Sequence, residues 1–338
     1  MSIRVPAIAV TADGTELTGP QAGLSEAMVD IGHGPAHDRA RLALGWLSPL
    51  ATVGPGTEVT VAVGYDDAPE PVLTGIVDEV THRPWGLMVD VLALPARLVG
   101  VRVGRSYIEM AAADIVADLL AEADVPAGDS DSGPILASYH IDERRNAWAH
   151  LNQLARISAC EISTGSDGSC HFRLAPGAEA GLGGLAGAVA GAASSLLGLG
   201  GGQRYGAELH DLAVATSAVP GAPPAVAPFG AGSQLGAGQW HVTLREPATD
   251  GHALVPGPLR DRDSAAQLEG ALGAATARAG SRGWATITGA PGLRAGDVTA
   301  LTDLPHADDR DVRVREIRHR FSRTRGFTSR ILTEGAPA

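Results

Sequence analysis

Glu58-Val-Thr-Val-Ala-Val63 places valine at every second position and polar or small residues between. That is the pattern of a strand with one buried face. Turn residues follow at Gly64-Tyr65-Asp66-Asp67, and Val72-Leu-Thr-Gly-Ile-Val77 restarts the strand character. Upstream, Ala7-Ile-Ala-Val-Thr11 runs into the turn dipeptide Asp13-Gly14, and Ala27-Met-Val-Asp-Ile31 and Arg41-Leu-Ala-Leu-Gly45 alternate in the same way. Downstream, Leu87-Met-Val-Asp-Val-Leu92 closes the series. Short strands separated by Gly, Pro and Asp predict a β-barrel or sandwich over residues 1–100.

Residues 101–175 read differently. Met110 to Ala123 carries Ile115, Leu119 and Leu120 at helical spacing among Asp114, Asp118 and Glu122, with Pro126 just beyond. A second helix is predicted from Asn146 to Ser158, with Trp148, Leu151, Leu154 and Ala155 on one face. Cys160-Glu-Ile-Ser163, the turn Gly165-Ser-Asp-Gly168 and Cys170-His-Phe-Arg-Leu174 predict a hairpin. Residues 176–238 are biased towards Gly, Ala and Pro, as in a linker or extended insertion. Strand character returns at Trp240-His-Val-Thr-Leu244, an alanine-rich helix is predicted from Asp263 to Ala279, and Ala285–Thr288, Asp297–Leu301, Val312–His319 and Phe327–Thr333 read as strands. The fold class is therefore mainly β with an α+β region: a β-region at each end, over 1–100 and 239–338, a helix-containing region over 101–175, and the insertion or linker 176–238 between.

Composition narrows the function. The 338 residues carry a formal charge of −12, and all 26 basic residues are arginine. Eight of these fall between Arg310 and Arg330. A dedicated nucleic-acid binder presents a basic face, so specific nucleic-acid binding is not expected. The missing lysine fits a GC-rich genome. Two cysteines, Cys160 and Cys170, do not make a disulfide framework. Met1-Ser-Ile-Arg-Val-Pro6 lacks the apolar core of a signal peptide. Synthesis and folding in the bacterial cytoplasm are expected.

Several segments follow one another in an order that resembles a known family. Val59 to Val63 leads into Gly64-Tyr65; Gly75-Ile-Val-Asp-Glu-Val80 follows; then come Leu92 to Leu98 and the helix pattern Asp114-Ile-Val-Ala-Asp-Leu-Leu120. Asp142-Glu-Arg-Arg-Asn146-Ala-Trp148-Ala-His-Leu151-Asn-Gln-Leu154-Ala155 is an acidic and polar lead into a helix, and the Gly-Ser-Asp-Gly hairpin comes next. Near the end stand Gly292 to Leu301, Val314-Arg-Glu-Ile-Arg-His319 and Gly326-Phe-Thr-Ser-Arg-Ile331. This order resembles the phage tail hub proteins: the late control protein D type of myophages and the hub portion of VgrG-type spike proteins. The resemblance spans residues 1–175 and 236–338. It implies two β-barrel-like hub domains per chain and a homotrimer with pseudo-sixfold symmetry. Such a ring would join a hexameric tube to a threefold spike, as a structural protein and not an enzyme. The implied partners are the inner tube protein, baseplate wedge proteins, and cargo or DNA passing through the channel. The needle-like β-helix repeats of VgrG are missing, which implies a separate spike or tip protein. The insertion after Pro176 departs from the family. The implied location is an assembled tail or injection particle.

Weighed singly, the residues that could carry chemistry point elsewhere. Cys160 and Cys170 with His171 do not have zinc-site spacing; thiols facing each other across a hairpin are the plainer reading. His33 and His37 flank Gly34-Pro35, as in a loop. Asp129 and Asp131 open like a calcium loop, but the later ligands are missing. Gly181-x-Gly183-x-x-Ala186 does not follow a strand in a βαβ unit. Asp66 with Asp67 and Asp308 with Asp309 sit in turn contexts. No catalytic, cofactor or metal residues are expected. Ala180 to Gly202 is uncharged, yet its many glycines disfavour a membrane helix, and membrane contact is not expected. In Val312–His319, valine and isoleucine alternate with Arg313, Arg315 and Arg318, so the arginines are expected to meet acidic partners. The rival readings are a tail-associated cell-wall hydrolase, which needs a catalytic constellation, and a carbohydrate-binding module, which needs exposed aromatics.

Overall fold

A computed structural model of the chain describes residues 4–33, 36–66, 68–178, 202–216, 262–305 and 307–336, with 228–229, 231–232, 242–243, 253–254 and 259. The Gly181–Ala186 pattern, Asp67 and most of Ala180–Gly202 and Trp240–Leu244 lie outside the described residues.

The first region is built from β1 (Pro6–Ala12), β2 (Thr15–Thr18), β3 (Leu24–Gly32), β4 (Arg39–Leu44), β5 (Glu58–Tyr65), β6 (Ala68–Arg83) and β7 (Gly86–Ala93). A 3-10 turn, Leu94–Val99, leads into the helix-containing region. There β8 (Arg105–Ala111), α1 (Ala112–Glu122), β9 (Ala127–Ser130), β10 (Ile135–Ile141), α2 (Ala147–Ile157), β11 (Cys160–Thr164) and β12 (Cys170–Leu174) follow. The remainder comprises β13 (Gln203–Arg204), β14 (Leu209–Thr216), α3 (Arg262–Ala279), β15 (Ser281–Thr288), β16 (Val298–Thr302), β17 (Arg310–Ser322) and β18 (Gly326–Gly335). The molecule is mainly β.

Among the described residues, thirteen strands from both ends of the sequence join in one sheet. Its path is β14-β15-β18-β17-β3-β4-β7-β6-β5-β1-β2, with β16 beside β17 and β13 beside β16. The period of two is the cause of the packing. Val59, Val61 and Val63 are buried while Glu58 is exposed. On β3, Ala27, Val29 and Ile31 turn inward and Glu26, Met28 and Asp30 outward. The same alternation crosses the seam between the two β-regions: Ile317 stands opposite Ile31, His319 opposite Val29, and Phe321 opposite Ala27. One apolar core runs beneath both regions, from Ile8 and Val10 to Ile317 and Ile331. Each such side chain contributes about 1.5–3 kcal/mol through burial. The sheet also curls on itself, bringing the rings of Tyr65 and Phe327 within 5.6 Å.

A second core fills the helix-containing region. Ile115, Val116, Leu119 and Leu120 of α1 meet Leu151 and Leu154 of α2 and Phe172 of β12. Asn146 caps α2, its side chain accepting from the Ala149 N–H at 2.9 Å. Two features differ from the sequence reading. Residues 203–216, placed in the insertion, form β13 and β14, which pair with β16 and β15. Their alternation is short and flanked by Gly-rich sequence, so composition hid it. Helix α3 was read with the second β-region, yet Ala265, Leu268 and Ala271 pack into the core of the helix-containing region.

Candidate assembly interface

Glu161 on β11 and Glu334 on β18 face two guanidinium groups at the junction of sheet and helix-containing region. Arg313 of β17 donates to Glu161 Oε2 at 2.5 Å and to Glu334 Oε1 at 2.7 Å. Arg278, in the last turn of α3, donates to Glu334 Oε1 at 3.0 Å and to the Pro176 carbonyl at 3.0 Å. Its Nη2 lies 3.9 Å from Glu161. Both arginine side chains are buried, 5% and 4% exposed. Two positive and two negative charges therefore offset each other in a site where a single one would be costly.

The loop from β3 to β4 enters the same junction. His33 Nδ1 lies 4.0 Å from Glu161. Burial pulls the His33 pKa below its ordinary value and Arg313 adds to this, while Glu161 opposes. The His37 ring packs 4.2 Å from Trp148 of α2. Asp38 is buried and accepts from the Gly32 N–H at 2.9 Å; burial pushes its carboxyl up to about 7. Thr74 of β6 adds a bond to the Ser166 carbonyl in the β11–β12 turn at 2.8 Å. The junction is thus closed by polar contacts from seven separate stretches of chain.

The arginines of β17 are not a free face awaiting an acidic partner. Arg313 is buried and paired within the chain, as above. Arg318 pairs with Asp30 of β3, which also meets Arg39 of β4 at 3.2 Å. Arg320 meets Glu26 at 2.6 Å, and Arg41 meets Asp90 at 2.8 Å. Strand register explains this: Arg318, Asp30 and Arg39 fall in one cross-strand row. Arg315 alone of the three expected arginines is exposed without an ion pair among the described residues.

The cysteines do not face each other. Cys160 stands opposite Leu174 and Cys170 opposite Thr164, at the two ends of the hairpin. Both are buried free thiols, pushed up to about 12 by burial. Asp131 accepts from the Leu174 N–H at 2.7 Å, and Asp129 lies 3.9 Å from His171 and Arg173. Asp66 takes a left-handed turn conformation and accepts from the Val5 N–H at 3.1 Å. Asp308 and Asp309 are exposed. Among the described residues, no group of three or more His, Cys, Asp or Glu side chains is placed to hold a metal. No helix among them is long and apolar enough to cross a membrane. Sequence reading missed Glu161, Arg278 and Glu334; they lie on three separate elements, and only the fold collects them.

No protein-family model and no curated protein matches the chain. Solved structures do. A tail protein from Neisseria meningitidis MC58 is 13% identical, with a TM-score of 0.68 over 98% of this chain and 96% of that one. The 43 kDa tail protein of prophage MuSo2 from Shewanella oneidensis is also 13% identical, with a TM-score of 0.62 over 97% and 98%. An E. coli type VI secretion component, described as similar to T4 phage tail proteins, is 10% identical, with a TM-score of 0.59 over 97% of this chain and 76% of that one. The chain therefore has the fold of these phage tail and type VI secretion proteins. Within that class the likeness agrees with the tail hub resemblance read from the sequence.

Proposed function

We propose that this protein is a structural hub of a phage tail or contractile injection particle, a homotrimeric ring joining a hexameric tube to a trimeric spike. The observation that carries this reading is the fold likeness, which runs over nearly the whole of this chain and of two tail proteins. The two β-regions, residues 1–100 and the strands within 203–216 and 281–335, supply two barrel-like units per chain that meet along β3 and β17. Three chains then present six similar units to the tube and three identical faces to the spike. The junction around Arg313 and Glu161 ties the helix-containing region to the sheet, as a connector that passes force between two assemblies requires. Inner tube protein, baseplate wedge proteins and a separate spike are the partners, and cargo or DNA is what passes through.

Co-expression with the tube and spike proteins of the same gene neighbourhood tests this. The expected result is a complex of three copies of this chain with one spike trimer, seen by light scattering and by threefold averages in electron microscopy. Binding to neither protein by a folded sample would overturn the reading. One observation favours the carbohydrate-binding alternative: Trp46 and Trp85 are both exposed. Glycan-array binding that Trp85→Ala abolishes would establish it.

A further inference from the structure

Large apolar side chains stand exposed in two built places. The first is a tip at one end of β4 and β7. Leu44 of β4 stands opposite Leu87 of β7, so the loop after Leu44 and the turn before Gly86 emerge side by side. Trp46 stacks on His82 at 5.8 Å, and its indole N–H donates to the Pro84 carbonyl at 3.2 Å. Gly86 has φ +153°, and a Cβ there would sit 2.0 Å from the Leu44 carbonyl oxygen. The backbone is thus tightly held while its side chains point outward: Leu47 is 98% exposed and Trp85 55%.

The second place is the ribbon of β8 and β10. Glu109 takes φ +51°, a conformation that costs a side-chain-bearing residue roughly 1–2 kcal/mol. It breaks the alternation of β8: Tyr107 is buried, but Ile108 and Glu109 are both exposed. Ile108 is 75% exposed and Ile135, on the paired strand, 65%. The break leaves Ile108 and Glu109 side by side on the exposed surface, where an apolar and a charged side chain adjoin.

The rims are complementary. Arg83 borders the tip and Glu109 lies on the ribbon; both are exposed, and neither has an ion pair among the described residues. On the outer sheet face, by contrast, Arg318, Arg39, Arg41 and Arg320 are all paired.

We propose that the tip of one copy seats on the ribbon of the next, Trp46, Leu47 and Trp85 covering Ile108 and Ile135 while Arg83 meets Glu109. This rests on the ring reading above. A ring built head to tail needs two different, complementary patches on every subunit. An apolar, aromatic centre with opposite charges at its edge is the usual make-up of such a contact.

The test is solution mass across a concentration series for the wild type, a tip variant (Leu47→Asp with Trp85→Ser) and a ribbon variant (Ile108→Asp with Ile135→Asp). All four positions are exposed, and circular dichroism checks the folding of each. The wild type is expected as a trimer and each variant alone at one-third of that mass. An equimolar mixture should form a species of two chains and no larger, because one intact tip meets one intact ribbon. Arg83→Glu should weaken the trimer and Glu109→Arg in the same chain restore it. Variants that remain trimeric overturn the contact and leave the ring standing. A folded wild type that is monomeric throughout overturns it too, whether the tip then binds the tube, the spike, a lipid vesicle or a glycan. A trimer that binds neither tube nor spike defeats the hub reading instead.

Discussion

His319 and Asp38 are both buried, and they respond to pH in opposite senses. His319 shares a hydrogen bond with Ser329 Oγ at 2.8 Å, and its Nε2 finds no partner among the described residues. Burial, with Arg294 adding to it, pulls its pKa down to about 3. Below about pH 6.5 the unfolded chain takes up a proton that the folded chain refuses, so this group's contribution falls as pH drops towards 3. Asp38 is the reverse. Its folded pKa of about 7 lies above the unfolded value of about 4, so its contribution is full below pH 4 and is lost as pH rises through 7. Between about pH 4 and 6.5 the two slopes oppose each other. Asp38→Asn keeps an oxygen for the Gly32 N–H and removes one slope. Urea melts should show the variant gaining on the wild type by about 1 kcal/mol or more at pH 8 and showing no gain at pH 4. An equal difference at both pH values would exclude Asp38 as the titrating group. Neither group was legible beforehand: His319 was read only as part of a strand, and Asp38 follows a loop that shows no sign of burial.

Elements were read better than their contacts. Helix α2 was legible because Asn146 caps it and Leu151 and Leu154 recur on one face, all within a dozen residues. The strand at Val312–His319 was legible as well, but not the fate of its arginines, since the charges they meet lie on β3, β11 and β18. Helix α3 was placed in sequence and misplaced in space, because alanine packs against either core. The contact between elements that matters most here is Arg313 with Glu161 and Glu334. Arg313→Met leaves Arg278 alone to offset two carboxylates in a largely buried site, and should cost about 3 kcal/mol. Adding Glu161→Gln should recover much of that loss, because Arg278 then balances Glu334 and the uncompensated charge is gone. A double variant no more stable than the single one would show that packing, not charge, is lost at the junction.

At the scale of the whole molecule, the mainly β character was legible from period-two segments at both ends, and the joining of those ends was not. No local pattern says that β3 pairs with β17. A fragment of residues 1–100 would leave the β3 edge open, with Ala27, Val29 and Ile31 losing the row that Ile317, His319 and Phe321 supply. It should associate at micromolar concentration and melt without a sharp transition. A monomeric fragment with a cooperative melt would show instead that the first region folds by itself. The same seam has a cost in time. Asp30 and Arg318 are 288 residues apart in the chain. A ribosome moving at about 5–20 residues per second takes roughly 15–60 s between them. Throughout that interval the newly made edge of β3 is open to any other nascent copy. Ribosomes that follow one another on one message hold the nearest such copies, so these are the readiest wrong partners. Slowing initiation, which spaces the ribosomes apart, should therefore raise the yield of folded protein.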